Sequence, residues 1–253
     1  MSSRDQQSSL LSIGMPDRDQ LNKELGGGIP RGSIVLMEGD YGAGKSAITQ
    51  RMSYGLVNEG AQVTLLSTEL TVSGFIDQMH SLNYDVTKPL LEEDLLFLAA
   101  DFDTGGAFSD EEGDRMELLK RLMEAEVMWD ADVVFVDTFD SILRNDPTFE
   151  ALVRQNEERQ AALEIISFFR DLISEGKTVV LTVDPSAVGE EAIGPFRSIA
   201  DVFLKLQMVE VGNDVRRSIS VKRFAGMGSQ VGDNIGFSVR SGTGIVIESR
   251  TVA

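Results

Sequence analysis

Five short apolar runs recur along the first three quarters of the chain: 33–38 (SIVLME), 62–68 (QVTLLST), 95–99 (LLFLA), 133–137 (VVFVD) and 178–184 (TVVLTVD). Their apolar residues run on without a polar alternation, the pattern of strands buried on both faces. Between them, segments 46–58, 74–82, 114–128 and 149–174 space their apolar positions at a helical period. Strand alternating with helix predicts an α/β fold with a mostly parallel central sheet and helices on both faces.

After Asp201 the pattern changes. Runs 201–211 (DVFLKLQMVEV), 216–224 (RRSISVKRF), 234–240 (NIGFSVR) and 245–249 (IVIES) follow one another with Gly-rich joints and no helical segment between. These predict C-terminal antiparallel strands and hairpins that extend one edge of the sheet. Residues 1–14 are polar and read as a flexible leader, leaving 15–253 as a single domain. The Gly-Gly-Gly at 26–28 and the Pro-Arg-Gly at 30–32 predict turns. Segment 101–114 (DFDTGGAFSDEEGD) reads as an acidic surface loop.

Charge narrows the picture. The 253 residues carry 41 acids against 23 bases, of which seven are lysines, for a net charge of −18. Nucleic-acid surfaces work by neutralising phosphates with Lys and Arg, so this balance disfavours them, and it suits solvation in a high-salt cytoplasm. Cysteine is absent and His80 is the one histidine, which excludes disulfides, zinc ribbons and a thiol nucleophile. No apolar run approaches the ~20 residues that span a bilayer. The expected protein is intracellular and free of a membrane span, yet able to dock on a membrane complex.

The candidate chemistry lies between the first strand and the helix after it. Residues 39–46 (GDYGAGKS) match G-x-x-x-x-G-K-[ST], with Gly39, Tyr41, Gly42, Ala43, Gly44, Lys45, Ser46 and Ala47 forming the turn and the helix start. Glycines let successive backbone N–H groups face one anion, and the helix adds its positive end. Lys45 is then placed to reach the β- and γ-phosphates, and the Ser46 hydroxyl to ligate Mg²⁺. A second carboxylate anchor for the metal is needed at the end of another buried strand, and Asp137 ends VVFVD. Thr138 follows, where some ATPases place a glutamate that activates water. Glu69, after the second strand, is the candidate general base, since carboxyl ends of parallel strands share one rim. Asp184 shares that rim without an assigned role. A guanine-reading N-K-x-D is missing, which favours ATP.

These motifs carry a resemblance. LNKELGGGIPRGSIVLMEGDYGAGKS, LLSTEL, VVFVDTFDSIL, RSIADVFLKL and SISVKRFAGMGS together resemble the KaiC-like branch of the RecA-type ATPases, over nearly everything from Met15 to Glu248. Within it the chain is most similar to the accessory ATPases of the archaeal flagellum, or archaellum, with a composition that suits a haloarchaeal member. The resemblance implies an ATP-binding subunit at the cytoplasmic face of the membrane-embedded motor. Its partners would be the motor ATPase and the membrane platform protein, and it would form a homo-oligomeric ring with Lys222 reaching a neighbour's γ-phosphate. It departs from the related clock proteins in two places: Phe224 stands where they carry Arg, and Leu70 follows Glu69 where they pair glutamates. Slow or absent hydrolysis by a nucleotide-dependent switch is the reading this suggests; a working ring ATPase and a RecA-like DNA-binding protein are the alternatives.

Overall fold

All five apolar runs are strands, and their register explains why they are apolar throughout. A computed structural model describes residues 9–100, 118–146, 149, 158–211, 214–226 and 233–248. Residues 1–8 of the expected leader, the expected acidic loop 101–114, and parts of the expected helices 114–128 and 149–174 lie outside the described residues.

Strand β3 (Ile34–Glu38) runs parallel to β7 (Thr178–Val183) on one side and to β8 (Val202–Val211) on the other. Outward from β7 come β6 (Val133–Asp137), β4 (Val63–Ser67) and β5 (Leu95–Ala99), all parallel. Beyond β8 lie β9 (Asp214–Phe224), β10 (Asn234–Arg240) and β11 (Gly244–Glu248), all antiparallel, which completes a nine-stranded sheet. Every residue of β3, β4, β6 and β7 is buried.

Helices cover both faces. Val35 and Met37 of β3 face α2 (Lys45–Asn58) and α3 (Val72–Ser81), packing with Ile48, Met52, Leu56 and Phe75. Ile34 and Leu36 face the other way, into a cluster built by Phe139 and Ile142 of a short helix at Phe139–Asn145, Phe169 of the long helix Glu158–Ser174, and Phe196. Each such fully buried side chain contributes about 1.5–3 kcal/mol.

Two expectations change. The run after Asp201 is not wholly antiparallel: β8 pairs with β3 in parallel and with β9 antiparallel. The cause is a crossover helix, Glu190–Ile199, between β7 and β8. Its Gly194-Pro195 pair hides it from periodicity, although Pro195 sits inside the helix.

The second concerns residues 9–14, expected in the leader. Leu10–Leu11 (β1) pair with Ile29–Pro30 (β2), and Leu11 and Ile13 enter the core beside α2. A buried ion pair clamps this segment. Arg51 Nε and Nη2 donate to the Asp19 carboxylate at 2.5 and 2.9 Å, and its Nη1 and Nη2 donate to the carbonyls of Ile13 and Gly14. Both side chains are at most 1 % exposed. Gly55 makes room, since a Cβ there would stand 1.7 Å from the Ile13 carbonyl.

Removing one partner of a buried pair leaves an uncompensated charge, which costs about 3–5 kcal/mol. Arg51→Met is therefore expected to lower the urea midpoint by that amount of stability. A loss under 1 kcal/mol in equilibrium unfolding would show that the clamp does not hold the N-terminal segment.

Candidate functional site

The loop between β3 and α2 explains its glycines one by one. Gly42 and Gly44 sit at φ +79° and +97°, where a Cβ is strained. Gly39 is needed for space: a Cβ there would lie 3.0 Å from the carbonyl of Leu206 on β8. The loop is pinned at its root, where Gly39 N–H donates to the Val183 carbonyl of β7. Beneath it the buried Glu38 carboxylate is gripped by the Arg197 guanidinium, which also holds Glu190. Those two carboxylates raise the already high pKa of Arg197 further.

Helix α2 begins at Lys45 with Gly44 as its N-cap and neither a capping side chain nor an acid in its first turn. Its first N–H groups and positive end are thus available to an anion rather than used internally. The Lys45 ammonium donates to the Gly39 carbonyl at 2.6 Å and the Asp40 carbonyl at 3.3 Å. It also acts electrostatically on three carboxyls, Asp137, Asp140 and Asp184.

Asp137 closes β6 with its side chain sealed from water. Burial pushes its pKa up, hydrogen bonds from Thr182 and Ser46 pull it down, Glu69 pushes it up, and Lys45 pulls it down, for a net rise. Thr182 Oγ1 donates to Asp137 at 2.8 Å while accepting the Thr138 N–H at 2.7 Å. Thr138 itself has φ +68°, ψ +54°, a left-handed conformation that is a genuine outlier for a β-branched residue. Such strain, of order 1–3 kcal/mol, persists only where surroundings impose it, and it clusters at functional sites.

Asp184 joins the same constellation and thereby acquires a place. Burial raises its pKa, but Ser186, Lys45 and the backbone N–H of Tyr41 together hold it below the usual carboxylate range. Its own N–H donates to Asp140, whose carboxyl is raised chiefly by burial. Asp140, on the first turn after β6, was not singled out from the sequence; only the closing of β6 against β7 reveals it.

Glu69 is exposed, with its backbone N–H directed at the Ser67 hydroxyl, and it is close enough to Asp137 to raise that carboxyl. Tyr41 is 85 % exposed, Ala43 is buried in the α2-side core, and Ala47 packs partly against it. Lys222 is not brought to this loop. It is the extra residue of a bulge in β9, where Phe203 pairs with Arg223 but Leu204 pairs with Val221. That places it about 17 Å along the strand from the residue of β9 that does reach the loop. That residue is Arg217, whose Nε donates to the Gly42 carbonyl at 3.1 Å. Arg223 is engaged within its own chain, donating to the carbonyls of Arg197, Ser198 and Ala200 at the end of the crossover helix.

With this geometry in view, comparison with known proteins decides the family. The family model described as "ATPase: KaiC" matches residues 12–251. The chain belongs to the KaiC family of ATPases. Among KaiC-family relatives it is 31 % identical over 241 residues to the archaeal flagellar ATP-binding protein FlaH of Methanocaldococcus jannaschii, covering 93 % of this chain and 95 % of that one. The FlaH of Methanococcus voltae is 26 % identical, over 94 % of this chain and 96 % of the relative. A crystal structure of the flagellar accessory protein FlaH from M. jannaschii superposes with a TM-score of 0.80 at 28 % identity, covering 95 % of this chain and all of that one. The mixed sheet with C-terminal antiparallel strands is thus the RecA-type architecture of the KaiC family.

A KaiC-type ATPase implies a nucleotide with a divalent metal, and the residues here fit one. The loop is seated so closely on the sheet that Gly44 has no room for a side chain, since a Cβ there would meet the Phe237 ring at 3.0 Å. Lys45 supplies a cation, and the hydroxyl of Ser46 meets the carboxyl of Asp137, an oxygen pair of the kind that Mg²⁺ selects.

The raised pKa of Asp137 means that its ionised form at neutral pH opposes folding. Asp137→Asn is expected to raise the Tm of the nucleotide-free protein at pH 7, by roughly 2–4 °C for each 1 kcal/mol relieved. The gain should shrink as pH falls through the raised pKa, because the wild-type carboxyl then takes up its proton. Thermal melts of both proteins across pH check this, and an Asp137→Asn protein that melts lower at pH 7 would contradict it.

Proposed function

We propose that this chain is an ATP-binding subunit of an archaellum motor that acts as a nucleotide-dependent switch, with slow or no turnover. The observation that carries this is the convergence of Lys45, Ser46 and Asp137 at one glycine cradle, in a chain similar end to end to FlaH proteins. In this reading Gly39 to Ala47 would wrap the phosphates, Lys45 would neutralise them, and Ser46 with Asp137 would hold Mg²⁺, which would supply further charge neutralisation. No helix among the described residues is long and apolar enough to cross a membrane. Location at the cytoplasmic face of the motor would then come from docking on the motor ATPase and the membrane platform protein.

The switch reading draws on the environment of the candidate base. Thr138 occupies the position after the proposed metal-anchoring Asp, and Glu69 stands exposed on the turn after β4. Loop contacts from three elements, through Asp184, Glu38 with Arg197, and Arg217, give nucleotide occupancy a route to distant surfaces. A working ring ATPase is the second reading, favoured by the family name; it requires Glu69 as base and Lys222 from a neighbouring copy, where its exposure on β9 leaves it accessible. The single domain 15–253 remains part of the proposal, with its start moved to include the seated residues 9–14.

Two outcomes test the reading. Lys45→Ala is expected to weaken ATP binding in Mg²⁺ and high KCl by roughly 100-fold, the size of about 3 kcal/mol in charge-assisted hydrogen bonds; unchanged affinity by calorimetry would sink the phosphate-site assignment. ATP bound to the wild-type protein is expected to be recovered intact after an hour. Steady ADP formation that vanishes in Glu69→Gln, with binding intact, would establish the working-enzyme reading instead.

A further inference from the structure

The loop rests on one row of side chains that crosses three strands, and the middle member of that row is charged. Met208 of β8 pairs with Arg217 of β9, and Arg217 pairs with Phe237 of β10. Residues directly opposite share a sheet face. Phe237 is buried in the core on the α2 side, so Arg217 lies on that side too, under the loop. Contacts agree: a Cβ at Gly44 would meet the Phe237 ring at 3.0 Å and Arg217 Cδ at 3.4 Å, and one at Gly42 would meet the Met208 sulfur at 3.9 Å.

Packing alone does not call for arginine at this place. Met208 and Phe237 are apolar, and a third apolar side chain would cover the glycines equally well. Holding the Gly42 carbonyl uses one donor, the Nε–H at 3.1 Å, whereas a guanidinium carries five and a permanent positive charge. The neighbourhood is short of positive charge: Lys45 faces Asp137, Asp140 and Asp184, and Glu69 stands near Asp137. The adjacent Arg216 cannot fill the role, because it alternates to the other face and is exposed.

Resting on the nucleotide reading above, we propose that Arg217 is a phosphate-binding residue of its own chain's site, a second cation that the sheet extension delivers to the loop. Its stem lies along Gly44, its Nε fixes the Gly42 carbonyl, and its terminal nitrogens meet the phosphate chain alongside Lys45. This makes the antiparallel extension part of the binding site, and it places the β9 cation in the same chain rather than across a subunit boundary.

Arg217→Gln separates the two jobs, because the glutamine Nε2 occupies the bonding position of the arginine Nε and can still donate to Gly42, while charge and terminal nitrogens are lost. Titration of each full-length protein with a fluorescent ATP analogue and Mg²⁺, repeated over a range of KCl, gives affinity and its salt dependence. The expected result is a loss of roughly 10- to 100-fold in ATP affinity and a shallower salt dependence, with an unchanged Tm in the absence of nucleotide. Arg217→Lys, which keeps the charge, should fall between the two. Wild-type affinity within twofold and an unchanged salt dependence in Arg217→Gln would overturn the assignment and leave the phosphate loop intact. An Arg217→Lys protein no better than Arg217→Gln would also overturn it, since charge would then not matter. Failure of the wild-type protein itself to bind the nucleotide would overturn the nucleotide reading, and this inference with it.

Discussion

The carboxyl of Asp137 sets the terms for everything around it. It ends a strand buried on both faces, is itself buried, and is held by two hydroxyls, those of Thr182 and Ser46. A buried carboxyl with a raised pKa is a stability cost, which a fold retains where function needs it. The cost propagates. Thr182 Oγ1 serves both residues at once, donating to Asp137 and accepting the N–H of Thr138, which sits in a left-handed conformation. Strain at Thr138 and desolvation at Asp137 are thus one arrangement. A divalent cation shared between Ser46 and Asp137 would offset the cost at the carboxylate by supplying opposite charge.

Around this centre the loop is fixed at several points rather than hung from its two ends. Its root donates to β7, the acid beneath it is held by Arg197 of the crossover helix, its tip presents the Tyr41 N–H to Asp184, and its Gly42 carbonyl is held by Arg217. The crossover helix is itself tied to β9, through Arg223 on its last carbonyls. Packed elements respond to displacement by discrete repacking rather than smooth deformation. The loop, with Glu38 at its root, is in direct contact with the crossover helix and the antiparallel extension, the two elements through which the proposed switch would act.

How much of this could be read from the sequence follows from which interactions are local. Parallel strands buried on both faces must be continuously apolar, so all five were visible as runs, and the strand–loop–helix motif carried its own context. Asp137 and Glu69 could be found because strand ends are legible and parallel strands share a rim. Residues whose meaning depends on pairing were not. Arg217 matters because of its place opposite Met208 and Phe237, and adjacent Arg216 looks identical in the sequence. Lys222 drew attention through a motif, yet a bulge that no local signal announces sets its position. The polar residues 2–9 drew Leu11 and Ile13 into the expected leader, because the partner that seats them, Arg51, lies on a helix dozens of residues on. Gly194-Pro195 masked a crossover helix, and with it the parallel pairing of β8.

The same geometry bears on the proposal that this chain binds nucleotide without hurrying its hydrolysis. Binding and turnover make different demands: the first needs cations and N–H groups around phosphate, the second needs a base held within hydrogen-bond reach of one water. Here the binding side is over-determined, with a loop fixed from three directions and Asp137, the proposed metal anchor, built into the core. The candidate base is the opposite case. Glu69 is an exposed side chain on the turn after β4, whose backbone N–H is held by the Ser67 hydroxyl. Orienting water asks for a side chain locked by its surroundings, and loosening by about 1 Å is enough to cost 100-fold in rate. Rigid binding parts beside an exposed candidate base are the arrangement on which the proposed switch reading rests, since a switch has to hold its ligand and a fast engine has to turn it over.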